Sequence, residues 1–202
     1  MKAFRATVLL VALCFTVPAA QAGVINFSDV VIGGSLASGA SFATGDNYID
    51  FFFPDASVGD GLSSRIGTLS LTYIAESTDG MYQNQMLLSV LGALQGSGTI
   101  FFNEVIEDIA NPLDPIFLAS YGVVLDSNSS LPHTAVIDFV RPSNLIKVKK
   151  NLTLTAFDTA GVDFANVGLV EQTIRVVPEP TSLAMCGLGL ACLFIRRRKA
   201  VA

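Results

Sequence analysis

Apolar and polar residues alternate along most of the central part of the chain. The clearest run is GTLSLTYIA at residues 67–75, where Leu69, Leu71 and Tyr73 fall on one face while serine and threonine fall on the other. Similar runs, rich in β-branched and aromatic residues and separated by turn formers, lie at residues 24–32, 47–53, 98–106, 120–126, 134–140, 145–157 and 167–177. Roughly eight or nine strands without a long amphipathic helix predict one all-β domain, an antiparallel β-sandwich of the jelly-roll kind.

Two central segments give a weaker pattern. In MYQNQMLLSVLGAL, residues 81–94, the apolar spacing fits a helix about as well as a strand, and we favour a strand because a lone helix is uneconomical in an all-β domain. Residues 33–45, GGSLASGASFATG, are dominated by small residues and predict a flexible surface loop.

Residues 1–22 have the pattern of a secretory signal peptide. Two basic residues precede an uncharged apolar run at 6–17, and Ala20 and Ala22 occupy the −3 and −1 positions of a signal-peptidase site. The apolar run is shorter than the ~20 residues that a membrane-spanning helix needs. We therefore expect cleavage after Ala22 and a β-sandwich domain at residues 23–177.

Residues 178–202 combine three features in order. Pro178-Glu179-Pro180 comes first, an apolar stretch follows at residues 183–195, and the basic cluster Arg196, Arg197, Arg198 and Lys199 comes after it. The prolines keep the first part extended, the apolar stretch is a marginal membrane span, and the bases favour the cytoplasmic side as a stop-transfer signal. The residues alone leave two interpretations open, a permanent anchor and a segment that a protease removes.

This order of features resembles the PEP-CTERM sorting signal of Gram-negative bacteria. The resemblance implies a short transmembrane helix that lies transiently in the inner membrane and is recognised by an exosortase as the processing partner. It also implies delivery of the domain to the cell surface or extracellular matrix, with exopolysaccharide or another matrix component as its partner.

Composition narrows the choice of function. The three cysteines, Cys14, Cys186 and Cys192, lie in the two terminal segments, so no disulfide framework can hold residues 23–177 together. These residues carry 16 acidic and 6 basic side chains, a net charge of −10. This charge argues against nucleic acid as a partner, because phosphate binding needs clustered lysine and arginine side chains. The one basic cluster, Lys147, Lys149 and Lys150, is too small to provide them.

Catalytic groups are scarce in this domain. His133 is the one histidine, no G-x-S-x-G sequence occurs, and cysteine nucleophiles are absent. We expect His133 to be a solvated loop residue, and we predict no enzyme. Carboxylates of Glu104, Glu107 and Asp108 are the remaining catalytic candidates, although in a strand Glu104 and Glu107 would point to opposite faces.

Metal binding has only weak candidates. Asp55 and Asp60 in DASVGDG, and Asp158 and Asp163 in DTAGVD, present oxygen ligands of the kind that Ca²⁺ prefers. Neither segment matches the D-x-[DN]-x-[DN]-G pattern, so we predict no cofactor and keep calcium as the weaker expectation.

A contact surface for carbohydrate would usually use tryptophan, and this chain has none. Tyrosine combines an apolar ring with a polar tip. The candidates for such a surface are Tyr48, Tyr73, Tyr82 and Tyr121.

The sequence therefore predicts an exported, acidic surface or matrix protein with a structural or adhesive role among exopolysaccharides in a biofilm. The alternatives are a carbohydrate-active surface hydrolase or lyase, and a permanently membrane-anchored binding module.

Overall fold

Strands account for the regular structure in the computed structural model, which describes residues 23–89, 94–157 and 161–177. In chain order they are β1 (Asn26–Gly33), β2 (Ser41–Thr44), β3 (Tyr48–Phe52), β4 (Ser57–Gly59), β5 (Ile66–Ser89), β6 (Thr99–Asp108), β7 (Ile116–Leu125), β8 (His133–Thr155), β9 (Phe164–Asn166) and β10 (Leu169–Val176). Every pairing between them is antiparallel. In these ranges no helix has the length and apolar character required to cross a membrane. The predicted all-β antiparallel fold is confirmed.

Two long strands connect the halves of the sandwich. β5 has 24 residues and β8 has 23. Residues 66–76 pair with 145–155, and residues 83–88 pair with 133–138, with register shifts between the two stretches. Pro142 lies at this break, where it cannot donate a ladder hydrogen bond, and Gly80 packs so closely that an added Cβ would lie 2.9 Å from the Cβ of Pro142.

The break divides β5 and β8 between two layers. The first layer has the order β1, first half of β5, second half of β8, β6 and β7. The second has the order β2, β3, β10, second half of β5 and first half of β8. The inner faces meet in the core, where the rings of Phe51 on β3 and Tyr73 on β5 lie 5.9 Å apart and both are buried. This is the predicted β-sandwich.

The core follows the period-two pattern of the strands. On β8 the side chains at even positions from Ile146 to Leu154 are buried, and β6 shows the same phase from Ile100 to Asp108. Burial of these apolar side chains is the main stabilising term in a domain without disulfides.

Several predicted segments differ in the structure. Residues 81–89 of the ambiguous segment continue β5 as a strand, as favoured, while residues 90–93 lie outside the described ranges. The loop predicted at 33–45 is wrong in part, since Ser41–Thr44 form β2 against β3. A four-residue strand of exposed side chains has no apolar alternation to reveal it. The runs at 134–140 and 145–157 are continuous within β8 as far as Thr155, because the strand passes through Pro142.

Residues 23–177 form one compact unit by themselves. The predicted signal peptide with Ala20 and Ala22, the Pro178-Glu179-Pro180 motif and the basic cluster at 196–199 lie outside the described residues.

Candidate functional site

The outward-facing side of the second layer carries an unusual mixture of aromatic and polar side chains. On β3, exposed and buried residues alternate, so Tyr48, Asp50 and Phe52 point outward while Ile49 and Phe51 enter the core. β10 and the second half of β5 add their own outward residues in register with β3. We call this surface the β3 face, and its central residues are Tyr48, Asp50, Phe52, Gln83, Gln85, Glu171, Thr173 and Arg175.

Two aromatic rings flank the centre of the β3 face. Tyr48 is 39% exposed and Phe52 is 41% exposed. They are four residues apart on one strand, which places them about 13 Å apart along it. Asp50 lies between them, and its direct cross-strand partner is Glu171. An acidic pair therefore lies between two accessible rings.

The acidic pair is under electrostatic stress. Partial burial raises the pKa of Asp50, and the negative charge of Glu171 raises it further. Like charges directly opposite on neighbouring strands destabilise a sheet. Within the described residues, Oδ1 of Asp50 is shielded from solvent and has no hydrogen-bond donor. Both residues of the pair are only half-buried, so an external donor such as a hydroxyl group would have to bind the other carboxylate oxygens.

Amide and guanidinium groups continue the polar surface across the sheet. Nη2 of Arg175 donates to Oε1 of Gln85 at 3.3 Å, and Nε2 of Gln83 donates to Oδ1 of Asp138 at 2.5 Å. Donors and acceptors thus alternate over three strands beside the two rings. Such a surface can bind a ligand that has both hydroxyl groups and apolar ring faces.

The four predicted tyrosines have different environments. Tyr48 lies on the β3 face, whereas Tyr73 is fully buried, so the prediction of a contact role for Tyr73 is wrong. Tyr82 and Tyr121 are half-buried. Tyr121 stacks on His133, with its hydroxyl oxygen 2.7 Å from Nε2 of that residue. His133 begins β8 and has a specific partner, which corrects the expected solvated loop.

The structure brings together two of the four calcium candidates. The backbone N–H of Asp163 donates to Oδ2 of Asp60 at 3.0 Å, and the N–H of Asp60 donates to the carbonyl of Asp163 at 2.8 Å. Arg65 pairs with Asp60 at 2.9 Å, and Ser97 donates to Asp163 at 2.9 Å. Protein donors thus occupy oxygens that an ion would need.

The other two calcium candidates do not complete a site. Asp55 is exposed, and Asp158 lies outside the described residues. Among the residues that the structure describes, no three His, Cys, Asp or Glu side chains lie close enough together to hold a metal ion. Calcium binding stays a prediction.

The candidate catalytic carboxylates do not share a cleft. Glu104 is fully buried and Glu107 points to the opposite face, as expected for their spacing, where it pairs with Lys149 at 2.7 Å. Asp108 pairs with Arg141 at 2.8 Å. A glycosidase needs both carboxylates at the substrate, and Glu104 and Glu107 cannot meet this requirement.

A polar cluster instead lies inside the sandwich. Nζ of Lys150 is 2.8 Å from Oε2 of Glu104, and neither side chain is exposed. The amides of Asn84 and Gln172 donate to Oε1 of Glu104 at 2.7 Å and 3.0 Å. Lys150 and Glu104 are direct cross-strand neighbours in the first layer, whereas the two amides reach them from the second. Buried charges of this kind are rare unless paired.

Burial and charge act in opposite directions within this cluster. Burial lowers the pKa of Lys150, and the carboxylate of Glu104 counteracts part of that effect. For Tyr73, burial raises the pKa well above its ordinary value, the charge of Glu104 adds to this, and Gln172 opposes it. The ammonium also lies 5.5 Å from the ring centre of Phe102.

The sequence pattern contained a signal for the cluster. Lys150 shares the even phase of Ile146, Val148, Leu152 and Leu154, and that phase faces the core. Grouping Lys150 with its basic neighbours in the sequence concealed this position.

Comparison with known proteins identifies one segment. Residues 176–199 match the family model of the PEP-CTERM protein-sorting motif. The chain carries a PEP-CTERM sorting motif. This motif indicates an exported protein whose membrane-anchored precursor is processed by an exosortase on the way to the cell surface. The resemblance predicted from residues 178–199 is confirmed. A search of curated proteins gave no match.

Solved structures similar to this chain include several carbohydrate-binding modules. TmCBM61, solved with β-1,4-galactotriose, has 12% identity and a TM-score of 0.39, with 75% of this chain and 90% of that chain covered. A family 11 carbohydrate-binding module from Clostridium thermocellum, solved with a mixed-linked β-1,3-1,4 tetrasaccharide, has 9% identity and a TM-score of 0.28, with 78% and 89% covered. The enzymatically active domain of tailspike protein 4 from bacteriophage CBA120 has 10% identity and a TM-score of 0.31, with 78% and 20% covered.

Proposed function

We propose that the protein is a surface or matrix component that adheres to exopolysaccharide through the β3 face. The observation that carries this proposal is the arrangement of Tyr48 and Phe52 on either side of the Asp50–Glu171 pair. The sorting motif supports it, because export brings the domain to the place where such polymers occur.

Each part of the β3 face has a role in this binding. The rings of Tyr48 and Phe52 stack on the apolar faces of sugar rings and replace water there. Carboxylates of Asp50 and Glu171 accept hydrogen bonds from sugar hydroxyls, and Arg175 and Gln85 supply donors. The negative charge of the pair favours a neutral polymer over an anionic one, since like charges repel.

The experiment compares binding of matched variants to the host's own exopolysaccharide. The protein recovered from its native host is titrated against the purified polymer in a depletion assay. Tyr48→Ala and Phe52→Ala are each expected to weaken binding about 5-fold, the equivalent of losing one aromatic contact of about 1 kcal/mol. Phe101→Ala is the matched control, because Phe101 is 47% exposed on the outer side of the first layer.

Two results would contradict the proposal. The first is that Tyr48→Ala, Phe52→Ala and Phe101→Ala all bind the polymer as tightly as the unaltered protein. The second is that the unaltered protein binds no exopolysaccharide of its host.

The processing part of the proposal has its own test. We propose a mature protein that begins at Gly23 and ends near Pro178-Glu179-Pro180. Intact-mass spectrometry of the protein from membrane and medium checks both ends. A membrane-bound chain that still contains Arg196–Ala202 as its final form would instead establish a permanent anchor.

A further inference from the structure

The cluster around Glu104 contains the groups required to form a bond between side chains. An amine, a carboxamide and an acid–base group meet in a site that is closed to solvent. We propose that Lys150 and Asn84 form an intramolecular isopeptide bond, with Glu104 as the acid–base group that joins them.

The side chains of Lys150 and Asn84 both contact the carboxylate of Glu104. Nζ of Lys150 lies 2.8 Å from Oε2 of Glu104, and Nδ2 of Asn84 lies 2.7 Å from Oε1 of the same group. Lys150 extends from the first layer and Asn84 from the second. Packed sheets lie about 10 Å apart, a distance that a long lysine and a short asparagine side chain can bridge together.

Burial makes the lysine a nucleophile. An ammonium group has three donors, yet Glu104 is the one acceptor that contacts Nζ among the described residues. Desolvation lowers the pKa of Lys150, which favours the neutral amine. A neutral amine carries the lone pair that a reaction with a carbonyl carbon requires.

The carboxamide is also poised for attack. Oδ1 of Asn84 is buried and receives no hydrogen bond from any residue that the structure describes. In the structure Nδ2 of Asn84 faces Glu104. A half-turn of the carboxamide, which exchanges Nδ2 and Oδ1, would let this oxygen accept the proton of Glu104 when that group is a neutral acid. This contact would polarise Cγ and stabilise negative charge on the oxygen during attack.

The reaction balances without a further reactant. Lys150 first transfers one proton to Glu104, which gives a neutral amine and a neutral acid. The amine lone pair then forms a bond from Nζ to Cγ of Asn84, and the bond from Cγ to Nδ2 breaks. A second amine proton passes to Nδ2, which leaves as ammonia. The products are a secondary amide, a protonated Glu104 and ammonia, so a buried ion pair is replaced by neutral groups, whose burial costs less.

Gln172 offers a competing carboxamide. Its Nε2 donates to the same oxygen of Glu104 at 3.0 Å, and its side chain also contacts Tyr73. We favour Asn84 because its bond to Glu104 is shorter and Gln172 is engaged on a second side.

Peptide mapping of the full chain recovered from its native host tests the bond directly. After denaturation and digestion, we expect the peptide with Lys150 joined to the peptide with Asn84, at about 17 Da below the sum of their masses, from the loss of ammonia. The linked chain should also migrate faster than Lys150→Met in denaturing electrophoresis, because the bond keeps residues 84–150 in a closed loop.

Matched variants separate the chemistry from the packing. Glu104→Gln preserves the shape of the side chain and removes its acid–base function, so the linked peptide should disappear while circular dichroism still reports a β domain. Lys149→Met changes the neighbouring outward-facing lysine and should leave the linked peptide at its full yield.

Three outcomes would overturn the proposal. The first is recovery of the two peptides separately at their full masses, which would leave the cluster as an ion pair only. The second is a link from Lys150 to Gln172. The third is a direct Lys150–Glu104 amide, recognised by the loss of water, about 18 Da, in place of ammonia.

Discussion

The carboxylate of Glu104 lies 2.8 Å from the ammonium group of Lys150, and both side chains are completely buried between the layers of the sandwich. Desolvation of two charges is costly, and the hydrogen bonds from Asn84 and Gln172 offset part of that cost. The adjacent lysine, Lys149, pairs with Glu107 on the outer side with 43% of its side chain exposed. The two neighbouring ion pairs therefore differ mainly in their access to water.

This difference predicts unequal effects of the same substitution. Relative to protein in which the Lys150–Asn84 bond has not formed, Lys150→Met leaves Glu104 charged and unpaired in the core, and we expect it to lower the free energy of unfolding by about 3–5 kcal/mol. Lys149→Met removes a solvated pair and should cost less than about 1 kcal/mol. Urea unfolding of both variants measures the difference, and equal losses would show that water screens the two pairs alike.

Tyr73 predicts a specific alkaline dependence of stability. Its pKa is raised in the folded protein by burial and by the charge of Glu104. The contribution is fully present below the ordinary tyrosine pKa of about 10, and it is lost as the pH rises toward the folded value, because the unfolded chain ionises first. As the pH rises above about 10, the free energy of unfolding of Tyr73→Phe should therefore fall less steeply than that of the unaltered protein.

Chemical denaturation across the alkaline range measures this difference. Parallel curves for Tyr73→Phe and the unaltered protein would rule out a contribution from Tyr73.

Replacing one carboxylate of the acidic pair on the β3 face by an amide should raise the free energy of unfolding, in contrast to the core substitutions. Asp50→Asn removes repulsion from Glu171, and we expect a gain of a few tenths of a kcal/mol at neutral pH. The raised pKa of Asp50 means that protonation favours the folded state, so the unaltered protein recovers this stability as the pH falls through that pKa. Thermal unfolding at several pH values should show the two proteins converging in acid. A gain that persists unchanged in acid would exclude charge repulsion as its cause.

The backbone next to Asp163 leaves no room for a side chain at Gly59. Its φ is +131°, and an added Cβ would overlap the carbonyl oxygen of Asp163. Gly59→Ala should therefore lower the free energy of unfolding by roughly 3 kcal/mol from strain and overlap. Gly61 also has a positive φ, +77°, but no atom lies within 4 Å of the point where its Cβ would be added. Gly61→Ala should cost only about 1 kcal/mol, and denaturant midpoints that match for the two variants would contradict the overlap.

Local pattern was sufficient for much of the fold. Alternation along 67–75 predicted the first half of β5, and β-branched residues identified most of the other strands. It did not reveal β2, whose four residues are all exposed, or the short β4–β9 pair, because neither has an apolar periodicity. The expectation that Tyr73 forms a contact surface rested on residue type alone, whereas the alternation groups Tyr73 with Leu69 and Leu71 on the face that is buried.

The sequence by itself determined the sorting motif at 176–199 and the antiparallel β class, because both depend on the order of nearby residues. Only the tertiary structure decided which polar residues meet. Glu104 and Asn84 are 20 residues apart, and Glu104 and Gln172 are 68 apart. Their contact depends on the register of β5, β8 and β10 and on the passage of β5 and β8 between layers, and a shift of one residue would turn each side chain to the other face. Long-range pairing of this kind sets the chemistry of the core.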